Sequence, residues 1–496
     1  MHATTRRTDP GAIPLAKVGQ LPQPAPDEES RRPWTVLAVA LTAQVLVVLD
    51  VSVVNTALPS IARSLHLGSG DLQWLVTAYL MMSGGALLLG GRIADLLPRR
   101  SVFLAGLGAF TLASLLGGFA TGAGQLIAAR AVQGLAAALM TPAALSLVMT
   151  TYSGAQRRKG LALWGAAGSF SIAIGVLVGG ALTTWGSWHL IFWINAPIGA
   201  VGLLVARGSL ARDAAAPAGP AQFDLPGAVT ALAGLAALLF GLGGTATAGW
   251  LSARTLGSLA VAALLLSAFV GLERRSDRPL VPGHTWKVRP LVSGTAVMLG
   301  VTGLLVGIVF LTSVFLQSVL GYSALRAGLA FLPLAFAITA GTHVARHLLA
   351  RLAPRTVAAA GMSLAAGGAA LLSLGAGAAA HYAPDVLPGM VILGLGVGMT
   401  FVPVSVSAMA GIPPQHAGLA SGFLMTGHEI GAALGVAVLS AVATGAGSLT
   451  GRAGVADAFS AGLAAAAVIG VAVAALAFLR MPATVVAQDG GGMHLH

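Results

Sequence analysis

About fourteen apolar segments, each long enough to cross a bilayer at ~20 residues per helix, follow one another between residues 34 and 479. That repetition leaves one kind of fold. Inside lipid every backbone N–H and C=O must be paired within the protein, and long apolar runs achieve this as helices. The expected fold class is therefore an all-α polytopic membrane protein. The segments are 34–58, 72–91, 101–120, 124–149, 162–183, 189–206, 225–244, 255–272, 290–316, 326–345, 356–376, 386–406, 418–443 and 457–479. Only 8% of the residues are charged, against about 25% in a soluble domain. There is no cysteine, so no disulfide framework and no thiolate nucleophile or metal site is expected.

Charge orients the bundle. If the N-terminus is inside, Arg63, Arg254, Arg326 and Arg452 are the basic residues of the outer loops and Arg130 lies within a segment. The remaining Lys and Arg fall on the inner side, a strong positive-inside bias. This accounts for the net charge of +12. The basic residues are spread over short loops, so they report topology and not a nucleic-acid partner. Trp34, Trp74, Trp185, Trp188 and Trp250 fall near segment ends, as an aromatic belt requires. Residues 1–33 are polar and Pro-rich and lack the pattern of a cleavable signal. They read as a disordered cytoplasmic N-tail, and 480–496 as a cytoplasmic C-tail. The Ala- and Gly-rich, Lys-poor composition is associated with bacterial genomes, which points to the bacterial inner (cytoplasmic) membrane.

Three charged residues sit deep within the segments. Asp50 lies in the first segment, among Leu46, Val47, Val53 and Val54. A carboxylate there costs about 2.5–3.5 kcal/mol on insertion scales, so an intramembrane acid is a functional-site hypothesis by default. Its aliphatic neighbours disfavour the charged form, which suits a group that gains and loses a proton. Arg130 and Asp50 lie about six and eight residues from the outer ends of their segments, hence at similar depth at ~1.5 Å per residue. A buried guanidinium needs a partner, and Asp50 is the predicted one, directly or through Gln133. The alternative is a fixed contact of Arg130 with backbone carbonyls. Glu429 lies about 200° around its helix from Gly427, away from the row Gly427, Gly431 and Gly435, and is a second proton or cation site or a helix contact.

Other signals are weaker. Leu96-Leu97-Pro98-Arg99 and Leu352-Ala353-Pro354-Arg355 occupy equivalent places in two six-segment halves once two central segments are set aside. That is a transporter architecture. The expected division is 34–206 and 290–479 for the halves, with 207–289 a linker carrying the two additional helices. Gly394-Leu395-Gly396-Val397-Gly398 lies in an apolar helix and serves packing. His343 and His347 have metal-ligand spacing but no acidic third ligand nearby, so no metal site is predicted. No GxxxxGK[ST] occurs, which argues against a self-contained ATP-driven pump. No loop carries the cluster of His, Asp or Glu that a membrane transferase needs, so no catalytic residue is assigned.

Four motifs then appear in order. They are Leu49-Asp50-Val51-Ser52-Val53-Val54-Asn55-Thr56-Ala57-Leu58-Pro59; Gly91-Arg92-Ile93-Ala94-Asp95-Leu96-Leu97-Pro98-Arg99-Arg100; Arg130-Ala131-Val132-Gln133-Gly134; and Gly168, Gly175, Gly179 and Gly180. Trp185 to Phe192 and Asn195-Ala196-Pro197-Ile198-Gly199 also fit. Together they resemble the major facilitator superfamily, in its 14-span drug:proton antiporter branch. Pro98 stands where that family's loop usually has Gly, and Val176 where its antiporter motif usually has Pro. The resemblance implies two six-helix halves plus two central helices, and a monomeric, proton-coupled exporter of lipophilic or cationic small molecules. Protons are the coupling ion and no cofactor is needed. Asp50, Arg130 and Glu429 are expected to handle protons. Arg92, Asp95, Arg99 and Arg100 are expected to form a conformational latch, with Asp95 at the start of a helix in the opposite half. Gly168, Gly175, Gly179 and Gly180 are expected to let helices approach closely. Asn55, Gln133 and Glu429 are assigned to the substrate cavity. A dedicated exporter of one metabolite or a lipid-moving relative is the alternative.

Overall fold

The computed structural model describes residues 33–483, apart from 153, 211–223, 277–278, 280–282, 284, 411, 413–416 and 450. Both predicted tails lie outside the described residues, except for 33 and 480–483. The described residues form helices and connecting turns, with no strand. In chain order the helices are α1 (Pro33–Leu65), α2 (Ser69–Leu96), α3 (Arg99–Gly117), α4 (Ala123–Thr151), α5 (Gly154–Trp185), α6 (Leu190–Trp193), α7 (Asn195–Ser209), α8 (Leu225–Ala248), α9 (Ala253–Arg275), α10 (Arg289–Ser318), α11 (Ala324–Ala330), α12 (Leu332–Leu349), α13 (Pro354–Leu374), α14 (Leu387–Met409), α15 (Ala417–Ala446) and α16 (Arg452–Arg480). Every predicted apolar segment is helical. Among the described residues, 11 helical stretches are long and apolar enough to cross a membrane. That is fewer than the fourteen expected, and α2, α5 and α8 are the helices outside this set.

Local chemistry sets the ends. Asp224 accepts a hydrogen bond from Gly227 N (2.9 Å) at the start of α8, Ser252 from Thr255 N (3.1 Å) at α9, and Ser323 from Arg326 N (3.2 Å) at α11. Each satisfies one of the donors a helix start leaves open. Gly321 turns the chain between α10 and α11 at φ +69°, a conformation that favours glycine. Several helices overrun the predicted bounds. α1 continues through Pro59 to Leu65 because Ile61, one turn beyond Leu58, is also buried. Segment 189–206 is broken into α6 and α7 at Ile194. Trp188, placed in the aromatic belt from sequence, is instead buried and stacked on His189, 3.8 Å between ring centroids.

Packing groups the helices. In the first group α1 lies against α5, α2 against α4, and α3 against α4 and α7. In the second, α10 lies against α15 and α16, α13 against α14 and α16, and α12 against α14. The groups meet through α2–α15, α1–α10 and α5–α11. α8 and α9 run antiparallel, with Gly241 facing Leu259 and Gly234 facing Leu266. α8 rests on both α2 and α15, so the central pair covers the seam between the groups.

Candidate functional site: a buried ion pair and an inter-group seam

Asp50 and Arg130 meet inside the first group, 0% and 1% exposed. Arg130 Nη1 donates to Asp50 Oδ2. The other carboxylate oxygen accepts from Gln133 Nε2 (3.0 Å) and Asn195 Nδ2 (2.9 Å). Gln133 lies one turn from Arg130 on α4, so both side chains reach the same point. Gln133 Oε1 accepts from Arg130 Nη1 (3.1 Å), and its amide also donates to Ser114 Oγ (2.7 Å). Arg130 Nε donates to the Leu75 carbonyl (3.1 Å), and the guanidinium lies 4.3 Å from the centre of the Tyr79 ring. Five helices, α1, α2, α3, α4 and α7, thus converge on one carboxylate. Desolvating two charges opposes folding, and the surrounding hydrogen bonds are what make such a pair tolerable.

The arrangement carries a prediction. Arg130 engages a carboxylate, an amide, a carbonyl and a ring at once, which a lysine ammonium cannot do. Each lost charge-assisted hydrogen bond is worth about 1.5–3 kcal/mol. Arg130→Lys is therefore expected to lower the transport rate at least about tenfold, measured in reconstituted liposomes. A near-normal rate would reduce Arg130 to a packing residue.

The expected latch is only partly in view. The side chains of Arg92 and Asp95 lie outside the described residues. Arg100 does not reach across the groups: its Nη2 donates to the Arg207 carbonyl (2.9 Å) at the end of α7, in the same group. The reason is the pull of a helix C-terminus on a cation. Among the described residues, Arg99 Nε is buried without a hydrogen-bond partner, as is Arg355 Nε at the start of α13. The two pseudo-equivalent loops therefore share this feature.

The glycines of α5 divide between two neighbours. A Cβ at Gly168 would lie 2.7 Å from Gln44 Nε2, at Gly175 2.8 Å from Ser52 Cβ, and at Gly179 2.6 Å from Thr56 Oγ1, all on α1. Gly180 turns the other way and would meet Leu325 Cα at 2.5 Å on α11. Small residues thus press α5 onto α1 within its group and onto α11 across the divide.

The second acid lies on that divide. Ser83 Oγ, on α2, donates to Glu429 Oε2 on α15 (2.9 Å). Toward the end of α1 remote from its N-terminus, Ser313 Oγ donates to the Asn55 carbonyl (2.7 Å) and Gln317 Nε2 to the Thr56 carbonyl (3.0 Å). Leu325 N donates to Thr184 Oγ1 (3.1 Å). The groups are closed at this far side. Asn55, Gln133 and Glu429, assigned together to a substrate cavity, are not brought together. Gln133 belongs to the Asp50 cluster, Asn55 to the far-side closure and Glu429 to the α2–α15 seam. The closure itself is the cause, since it buries Asn55. A groove between α1 and α7, lined by Thr42, Ile198, Val201 and Gly202 among others, contains none of the three. His343 and His347 each bond a carbonyl one turn back on α12.

Ser114, Asn195, Tyr79 and Ser83 were not assigned roles from sequence, although all four complete the two acidic sites. The available signal was their polarity within apolar helices. It carries no information about which helix faces which.

The profile of the Major Facilitator Superfamily matches residues 40–436. The chain belongs to the Major Facilitator Superfamily. It is 38% identical over 446 residues to a puromycin resistance protein of Streptomyces alboniger, covering 89% of this chain and 86% of that one. It is 37% identical over 464 residues to a cephamycin export protein of Amycolatopsis lactamdurans, covering 93% and 95%. The fold resembles a solved peptide transporter crystallised with sulfate, with a TM-score of 0.64 at 16% identity over 89% of this chain and 94% of that one. This superfamily member is a multi-helix membrane transporter of small molecules and not an enzyme.

Proposed function

We propose that the protein exports antibiotic-like small molecules in exchange for protons, by alternating access. The observation that carries the reading is Asp50: a fully buried carboxylate whose partners are an arginine and two amides, inside a transporter bundle. A protonated Asp50 and a charged one bind Arg130 differently. Any motion that changes their separation therefore changes proton affinity, and proton binding changes the conformational balance in return. The basic inner loops orient the N-terminus, and with it the near side of the bundle, toward the cytoplasm. The far-side contacts of Asn55, Thr56 and Thr184 are then the outer gate, closed. The chain acts as a monomer, since both groups and their seam lie within one polypeptide.

The substrate class rests on the relatives, whose names specify puromycin and cephamycin. Because each of these names a single antibiotic, a dedicated exporter is the second reading. The test is drug movement in liposomes containing the purified protein, with and without an imposed pH gradient, over a panel of puromycin, lincomycin, a cephamycin and a lipophilic cation. Gradient-driven movement of one antibiotic alone identifies the dedicated exporter, and movement of several a multidrug carrier. Movement that ignores the gradient would overturn proton exchange.

A further inference from the structure

Asp50 is sealed from water on every side that its partners occupy, yet a coupling acid must exchange its proton. Tyr79 offers a way through. Its side chain is 1% exposed, its ring covers the Arg130 guanidinium, and its hydroxyl has no hydrogen-bond partner among the described residues. A buried hydroxyl is rarely left unpaired, and a polar site of this kind binds water. One turn further along α2, Ser83 donates to Glu429.

Depth gives the order. Tyr79 and Asp50 both lie about 26 Å along their helices from the near side, taking 1.5 Å per residue. Glu429 lies about 18 Å from it on the same measure, and it is half-buried where Asp50 is enclosed. Glu429 is thus the acid closer to near-side water, and Tyr79 lies level with Asp50, one turn deeper on α2 than the Ser83 that holds Glu429. Gly84 lets Glu429 approach this closely, since a Cβ there would meet Glu429 Cβ at 2.5 Å. Leu232 of α8 sits on Gly85 and covers the seam. The charged or titratable groups facing the path are Asp50 from α1, Arg130 from α4 and Glu429 from α15. α8 and α14 carry none, α10 carries only Arg289 at its start, and the His428 ring lies beside Phe401 of α14.

We propose that the Tyr79 hydroxyl is the relay through which Asp50 exchanges its proton with Glu429, with a water on either side. The protonated Asp50 gives its proton to the first water, which passes one to the phenol oxygen. The phenol gives up its own proton to the second water, which protonates the Glu429 carboxylate. The phenol is neutral before and after, and the net change is one proton moved between carboxylates. Tyr79 is then a direct proton-transfer residue of the coupling path. The inference rests on the proton role given to Asp50 above.

The test is a pH jump on the detergent-purified full chain, followed by time-resolved infrared absorption of the protonated carboxyl groups. The Asp50→Asn and Glu429→Gln variants assign the two bands. Tyr79→Phe keeps the ring over Arg130 and removes no hydrogen bond to another described residue, only those to the two relay waters. It is expected to leave the Glu429 band at its wild-type rate and to slow the Asp50 band at least about tenfold. Both bands at wild-type rates would overturn the relay. Should Tyr79→Phe fail to fold, Glu429→Gln decides: the Asp50 band must slow there too, and a wild-type rate overturns the proposal. An Asp50 band absent at every pH defeats the proton role and the relay together. Puromycin left unmoved by wild-type liposomes, with the Asp50 band slowed in Tyr79→Phe, would defeat the substrate reading alone.

Discussion

Asp50→Asn is expected to abolish export driven by a pH gradient while the protein still inserts and folds. The asparagine has nearly the same shape and keeps an oxygen to accept from Arg130; its amide nitrogen then replaces the oxygen that accepts from Gln133 and Asn195, and Asn195 can turn its unpaired Oδ1 to accept from it. What it lacks is the ability to change charge. Breaking a buried ion pair outright costs about 3–5 kcal/mol, and the retained acceptor places this variant at the lower end. The expected result is a reduced thermal midpoint, normal membrane abundance, and gradient-driven movement no greater than in empty liposomes. Drug binding in the absence of a gradient is expected to persist. Full coupling in Asp50→Asn would remove the residue from the mechanism and leave Glu429 as the acid to examine.

The other large effect is structural. α10 and α15 cross where Gly303, Gly307, Gly431 and Gly435 place backbone on backbone. A Cβ at Gly307 would lie 2.8 Å from the Gly435 carbonyl, and one at Gly303 2.8 Å from the Gly431 carbonyl. Backbone cannot turn aside as a flexible side chain can. Gly435→Leu must therefore push the helices apart, and the usual overpacking cost of about 1–3 kcal/mol is a lower bound here. The expected outcome is loss of folded protein from the membrane, measured by fluorescence-detected gel filtration of a tagged chain. Gly367→Ala on α13 is the control. A Cβ there meets nothing within 4 Å, and alanine favours the helix, so its profile is expected to match wild type. A normal profile for Gly435→Leu would mean that the α10–α15 crossing is looser than these distances require.

How much of this was legible from residues alone differs between the two acids. Asp50 and Arg130 could be matched because membrane depth is countable along a helix, and two opposite charges at one depth in lipid have few alternatives. Asn195 and Ser114 could not be placed in the same way. Their helices pass the correct depth, but rotation about each helix axis is set by packing against neighbours distant in the chain. Glu429 shows the limit most clearly. Its angular distance from the Gly427 row could be read from the sequence, whereas the helix it faces, α2, is 346 residues away at Ser83. Arg100 looked like one member of a charged loop and proved to be anchored to the end of α7. The competition there is between a charge cluster and a helix terminus, and the terminus is formed by residues that the loop motif does not contain.

The hairpin of α8 and α9 has a consequence for ancestry that follows from parity. Two antiparallel helices return the chain to the membrane face from which it left, so either six-helix group keeps its sidedness whether the hairpin is present or absent. A single inserted helix would invert everything that follows it. A unit of this kind can be gained or lost between two halves in one genetic event without asking either half to refold. Because α8 rests on both α2 and α15, such a unit meets both groups at their seam.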